Sequence, residues 1–129
     1  ETAFVADFVG MKNLFEAHID GEWADLGGLR LRCRPRGNGL HAVAIRPENV
    51  RVGRHPAPET SLNRLEGRLR TVLNRGFYAE VRIDVDGLAF HAIDSRRDLL
   101  RSGLAEGDPV HLAIAAEDIH LIPGEGEGR

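Results

Sequence analysis

Residues 29–36 read LRLRCRPR, the most regular alternation in the chain. Leu29, Leu31 and Cys33 fall on one side of an extended backbone, and arginines fall on the other side. The pattern predicts an amphipathic strand with one buried and one solvated side. Pro35 ends this strand or places it at a sheet edge. We expect Cys33 to be a packed core thiol, since it shares a side with two leucines.

The arginines of this strand form a charged row that could hold an anion or a charged partner; they are Arg30, Arg32 and Arg34. A solvated outer face with nearby acids is the simpler interpretation, and we favour it. Binding of single-stranded nucleic acid would need stacking aromatics on the same face, and the sequence places none beside these arginines. The chain has 17 basic and 20 acidic residues, a net charge of -3, which also argues against nucleic acid as a partner.

Flanking stretches alternate in the same way, so the strand prediction extends over most of the chain. Residues 65–75 and 77–86 are predicted to form a hairpin, and Asp86-Gly87 is a tight-turn signal. Fifteen glycines and 5% aromatics indicate many turns between short strands. We therefore predict an all-β fold with one or two short helices.

Two segments recur in the same order, which indicates a degenerate internal duplication. Residues 13–19 match residues 63–69, and residues 44–52 match residues 113–121. The repeat predicts two related β-units packed together. Each unit is too small to close a good core alone.

Several kinds of chemistry lack their sequence signals in this chain of 129 residues. One cysteine excludes an internal disulfide and a four-cysteine zinc site. The chain contains neither a GxxxxGK[ST] phosphate loop nor a nucleophile elbow, and its six histidines show no ligand spacing such as HxxxH. We predict no catalytic residue and no metal site. The first residue is Glu1 rather than Met, so we expect a piece of a longer chain.

Two stretches resemble a known accessory domain. VADFVGMKNLF (5–15) and AIRPENVRV (44–52) resemble the C-terminal region of ABC-type importer ATPases, the transport-associated OB, or TOBE, domain. Its most specific match is the motif Arg46, Pro47 and Glu48. Residues 60–122 also resemble the molbindin-like repeat of oxyanion-binding proteins, whose opening S-A-R-N-x-L-x-G stands here as TSLNRLEG.

The resemblance implies OB-fold-like β-barrels and a division of the chain. We expect a short lead-in helix at 1–10, a first OB-like unit at 11–52, a linker at 53–62, a second OB-like (molbindin/TOBE) unit at 63–122 and a disordered tail at 123–129. A capping pattern places another short helix at 96–102.

The resemblance also implies partners and a location. The chain would contact its own ATPase domain and a second copy of itself, and importer membrane subunits indirectly. It would hold no cofactor, whereas ATP and Mg would bind the parent motor domain. The protein would be cytoplasmic, at the periphery of the inner face of the cell membrane.

The family places its oxyanion-contacting opening at positions that correspond here to Thr60, Ser61 and Asn63, and the adjacent Arg64 is a further candidate ligand. The pattern departs at Leu62, which replaces an arginine, and at Ala115 and Glu117, which stand where the family has a lysine and a hydroxyl. A buried dianion needs several donors, so we expect no tight molybdate or tungstate binding.

Three functional interpretations follow from the sequence. We favour a non-catalytic regulatory and dimerisation domain of an importer ATP-binding subunit, without an enzyme activity of its own. The alternatives are an oxyanion sensor for molybdate, tungstate or sulfate-like anions within such a subunit, and a stand-alone β-barrel that binds a small ligand.

Overall fold

The computed structural model describes residues 13–34, 39–60, 62–95 and 101–123. These residues form the strands β1 (Asn13–Asp20), β2 (Trp23–Asp25), β3 (Arg30–Arg32), β4 (Gly39–Ile45), β5 (Arg51–Gly53), β6 (Asn63–Asn74), β7 (Tyr78–Val85), β8 (Leu88–Ser95), β9 (Pro109–Ile114) and β10 (Ile119–Pro123). The predicted helix at 1–10 lies outside the described residues, as do 96–100 and 124–129, whereas residues 101–102 are helical. The all-β prediction is confirmed.

The strands form two five-stranded antiparallel sheets that exchange one strand each. The first sheet has the order β10-β4-β1-β2-β3, and the second has the order β5-β9-β6-β7-β8. Strand β5 follows β4 along the chain but pairs with β9, and β10 follows β9 but pairs with β4. Each half of the chain therefore completes the sheet of the other half.

Short 3₁₀ turns carry the chain from one sheet to the other. The turn Pro47–Asn49 connects β4 to β5, and the turn Ala116–Asp118 connects β9 to β10. Pro47 has no amide hydrogen for a continued ladder, so β4 ends before it. The Asn49 amide then donates to the Arg46 carbonyl at 2.9 Å, and this bond closes the first turn.

The core lies between the two sheets and follows the predicted alternation. Leu29, Leu31 and Cys33 are buried, as predicted, although the strand itself covers only Arg30–Arg32. Buried side chains of both sheets join in one apolar cluster. Phe15 of the first sheet packs against Phe90 of the second, with ring centroids 4.8 Å apart. The two sheets therefore share a single hydrophobic core.

Strand β6 passes so close to β7 at Gly67 that no side chain fits there. An added Cβ would lie 2.6 Å from the Asp84 carbonyl oxygen and 2.7 Å from a methyl group of Val85. A register shift between Leu69 and Thr71 follows at once, which is the mark of a β-bulge. The glycine and the bulge together allow the long strand β6 to bend between its partners β9 and β7.

Candidate functional site

The residues predicted to contact an oxyanion surround the start of β6. Thr60 is exposed, and Ser61 lies outside the described residues. Arg64 is also exposed, and its Nη1 donates to the Ala57 carbonyl at 3.3 Å. This guanidinium therefore holds the segment that leads into β6.

Asn63 is half-buried and reaches into the other sheet. Its Oδ1 accepts a hydrogen bond from the Arg32 amide at 2.6 Å, and its Nδ2 donates to the Arg32 carbonyl at 2.9 Å. The same Nδ2 donates to the Ile114 carbonyl of its own sheet at 3.1 Å. The side chain thus binds the main chain of Arg32 as a neighbouring peptide group would. Its role as an oxyanion ligand stays a prediction.

Asn13 makes the equivalent contacts from the first sheet. Its Oδ1 accepts from the His91 amide at 2.6 Å, and its Nδ2 donates to the His91 carbonyl at 2.7 Å. Nδ2 also donates to the Ile45 carbonyl at 3.1 Å. Asn13 and Asn63 open the two matched segments of the repeat, so the sequence contained this signal. Sequence reasoning nevertheless assigned no role to Asn13, because the partner strands are distant in the chain.

The motif Arg46, Pro47 and Glu48 builds the connection between the sheets. Pro47 is buried in the 3₁₀ turn, whereas Arg46 and Glu48 are exposed. The proline therefore fixes the path from β4 to β5, and the two charged side chains are available to solvent or to a partner.

The arginine row lies on the outer face of the first sheet, and one expectation about it is wrong. Arg30 lies over the Trp23 ring, with its guanidinium carbon 4.5 Å from the ring centroid. The sequence had placed no aromatic here, because it does not reveal the register in which β2 pairs with β3. Arg32 Nε lies 3.1 Å from Glu22 Oε1, and Arg34 is exposed. The first two arginines are thus engaged by neighbouring side chains.

Asp25 closes the turn beside this row. Its Oδ1 accepts from the amides of Gly27 and Gly28 at 2.9 and 3.1 Å. These backbone donors, that of Gly28 first, lower the pKa of the Asp25 carboxyl below its ordinary value, because they stabilise the carboxylate. The negative charge of Asp25 therefore stabilises the turn.

The outer side of the second sheet carries a cleft of about 460 Å³ between β6, β7 and β9. Arg70 Nε lies 2.7 Å from Asp84 Oδ2, and Arg68 Nη1 donates to the Gly107 carbonyl at 2.6 Å. These charged groups of the cleft already have protein partners. Among the described residues, no group of histidine, cysteine, aspartate and glutamate is arranged to hold a metal ion.

The described part of the chain contains no helix with the length and apolar character needed to cross a membrane.

In a comparison with protein families, residues 43–122 match the family described as "TOBE domain". The chain is 26% identical over 119 residues to the molybdate/tungstate import ATP-binding protein WtpC of Pyrococcus horikoshii, with 92% of this chain and 34% of that protein covered. It is 26% identical over 125 residues to the spermidine/putrescine import ATP-binding protein PotA of Acetivibrio thermocellus, with 93% and 32% covered. The chain thus spans about a third of the length of these curated relatives.

A solved structure has the same fold. The cytoplasmic molybdate-binding protein ModG, solved with molybdate bound, superposes with a TM-score of 0.79 at 16% identity. The match covers 90% of this chain and 99% of that chain. The OB-fold-like architecture expected from the sequence is therefore confirmed.

Proposed function

Because this chain belongs to the TOBE domain family, we propose that it is a non-catalytic regulatory and dimerisation domain of an ABC importer ATP-binding subunit. One observation carries the proposal: 92% of the chain aligns with only 34% of an import ATP-binding protein. Such a relation fits an accessory domain beside a separate motor. The sequence contains no GxxxxGK[ST] loop, so ATP and Mg would bind the motor domain of the parent.

In this role the chain would contact its own ATPase domain and a second copy of itself. The two sheets share one core, so the domain can act as a single rigid body between these partners. Importer membrane subunits would be affected by it indirectly, through the motor domain. The parent would work at the inner face of the cell membrane, in the cytoplasm.

Three measurements test the proposal. The purified 129-residue chain should show no saturable ATP binding, and the full-length parent should keep basal ATP hydrolysis when this region is deleted. The deletion should also weaken the parent dimer in light scattering. A reading frame without a phosphate loop upstream, or specific ATP binding by the isolated chain, would contradict the proposal, and the first result would favour a stand-alone binding module.

An oxyanion sensor is the second candidate, favoured by the name of WtpC and by the molybdate in ModG. The local chemistry supports a domain that regulates without tight oxyanion binding. Both Nδ2 hydrogens of Asn63 have carbonyl partners, and Arg64 Nη1 holds Ala57. Leu62 and Ala115 offer no charge, so few donors remain for a dianion.

Calorimetric titration with molybdate, tungstate and sulfate decides between the two candidates. We expect no stoichiometric signal at micromolar concentration. A stoichiometric micromolar signal that Thr60→Ala weakens and that the control Thr71→Ala, half-buried in β6, leaves unchanged would make the chain an oxyanion sensor.

A further inference from the structure

Strands β3 and β8 lie at the edges of their sheets, and no further strand pairs with them in the described part of the chain. On either side of β3, the Cys33 amide donates to the Glu22 carbonyl, and the Leu29 carbonyl accepts from the Leu26 amide, so odd-numbered residues bond towards β2. The alternation of an antiparallel ladder turns the amide and carbonyl of Arg32 away from the sheet. An open edge of this kind is a template for unwanted strand pairing.

A side chain from the other sheet occupies each of these edges. Asn63 binds both the amide and the carbonyl of Arg32, and Asn13 binds both groups of His91. A primary amide carries the same donor and acceptor as a peptide group and can therefore continue the ladder for one residue. The remaining Nδ2 hydrogen of each asparagine bonds within its own sheet, to the carbonyl of the residue opposite it on the neighbouring strand. This residue is Ile114 for Asn63 and Ile45 for Asn13.

We propose that Asn13 and Asn63 form a reciprocal latch between the two sheets. Each latch residue closes the edge strand of the opposite sheet, so β3 and β8 open only when the latch opens. The strand exchange of β5 and β10 joins the sheets at one edge, and the latch joins them at the other. This device goes beyond the proposed transport role and does not depend on it.

The latch predicts a crossed response in amide hydrogen exchange. In the wild-type chain, the amides of Arg32 and His91 should exchange as slowly as those of central strands. Asn63→Ala should accelerate exchange at Arg32 at least tenfold beyond any change common to all slow amides, although Arg32 lies in the other sheet. Asn13→Ala should do the same at His91. Residue-resolved exchange by NMR measures both responses.

Asn74→Ala is the matched control, since Asn74 Oδ1 accepts from Gly76 within its own turn. It should leave Arg32 and His91 unchanged. Equal acceleration of all slow amides in Asn63→Ala would overturn the latch, because the asparagine would then contribute only to overall stability. If neither alanine variant folds, wild-type exchange alone decides, since fast exchange at Arg32 and His91 would overturn the proposal.

Discussion

The β1–β2 hairpin and the β6–β7 hairpin occupy equivalent places in the two sheets but differ in length. Strands β1 and β2 have 8 and 3 residues, whereas β6 and β7 have 12 and 8. The longer hairpin ends in an apolar tip where Phe77 is 97% exposed and Leu73 and Tyr78 are also exposed. Strand pairing and the asparagine latch are common to both halves, so the shared fold resides there. The hairpins can differ because their ends lie beyond the shared core.

Matched positions show what the longer hairpin requires. Residue 17 is a buried alanine in β1, and residue 67 at the same place in the repeat is a glycine in β6. Glycine is needed only where Asp84 and Val85 of the longer strand β7 approach the backbone. The local sequence therefore follows the length of the partner strand, while the topology stays the same.

The latch offers the strongest test of this comparison, because its two asparagines differ in burial. Asn13 is fully buried and Asn63 is half-buried. Asn13→Ala removes three hydrogen bonds to main-chain groups at buried and half-buried positions, so we expect the free energy of unfolding to fall by about 3–4 kcal/mol. Water can partly replace Asn63, so Asn63→Ala should cost about 1–2 kcal/mol. Urea denaturation measures both values, and equal losses would contradict the difference in burial.

Substitution of the matched small residues Gly67 and Ala17 should have the next largest effect on stability. Gly67→Ala forces a methyl group against the Asp84 carbonyl, so we expect a loss of about 2–3 kcal/mol in the free energy of unfolding. Ala17→Gly is the reciprocal control and should cost about 1 kcal/mol through backbone entropy. A neutral Gly67→Ala would show that β6 and β7 can move apart.

The turns that follow the two hairpins also differ, in the residues that adopt a positive φ. Between β7 and β8, Asp86 adopts φ 51°, whereas the turn between β2 and β3 places glycines at its positive φ angles. Asp86→Ala should lower the free energy of unfolding by about 1 kcal/mol, because alanine is strained at a positive φ, whereas the short polar side chain of aspartate tolerates it through local hydrogen bonding. Asp86→Gly relieves that strain and should be as stable as the wild type in thermal denaturation. A stable Asp86→Ala would contradict the strain.

The turn between β2 and β3 depends instead on a charge, and its effect should be smaller. The pKa of Asp25 is lowered in the folded chain, so its carboxylate stabilises the fold above the ordinary pKa of 3.8. That contribution is lost as the pH falls through the lower folded pKa. The difference in Tm between wild type and Asp25→Asn should shrink as the pH is lowered from about 6 to about 2. A constant difference would contradict the role of the charge.

The smallest effect is expected at the apolar tip. Phe77 is exposed, so Phe77→Ser should change the free energy of unfolding by less than about 0.5 kcal/mol. Phe90→Ser, in the shared core, is the contrasting variant and should prevent stable folding. Circular dichroism during heating distinguishes them, and a large loss in Phe77→Ser would show that the tip packs against the chain.

Sequence patterns revealed local structure better than the pairing of distant strands. Alternation alone placed Leu31 and Cys33 in the core, and the repeat brought Asn13 and Asn63 into correspondence. The exchange of β5 and β10 gave no signal, since strands of three and five residues carry too little sequence pattern to select one sheet. The contact of Arg30 with Trp23 was missed for the same reason, because register across a turn depends on the whole sheet.

Because the strand exchange takes place within one chain, the closing of the two sheets does not depend on protein concentration. A polypeptide with a single repeat would have no second sheet to receive its last strand and would have to donate it to another molecule. Placing both repeats in one chain turns that encounter into an intramolecular step, with an effective concentration on the order of millimolar for a short flexible connection. Dilution that would dissociate a pair of single repeats therefore leaves this tandem chain closed.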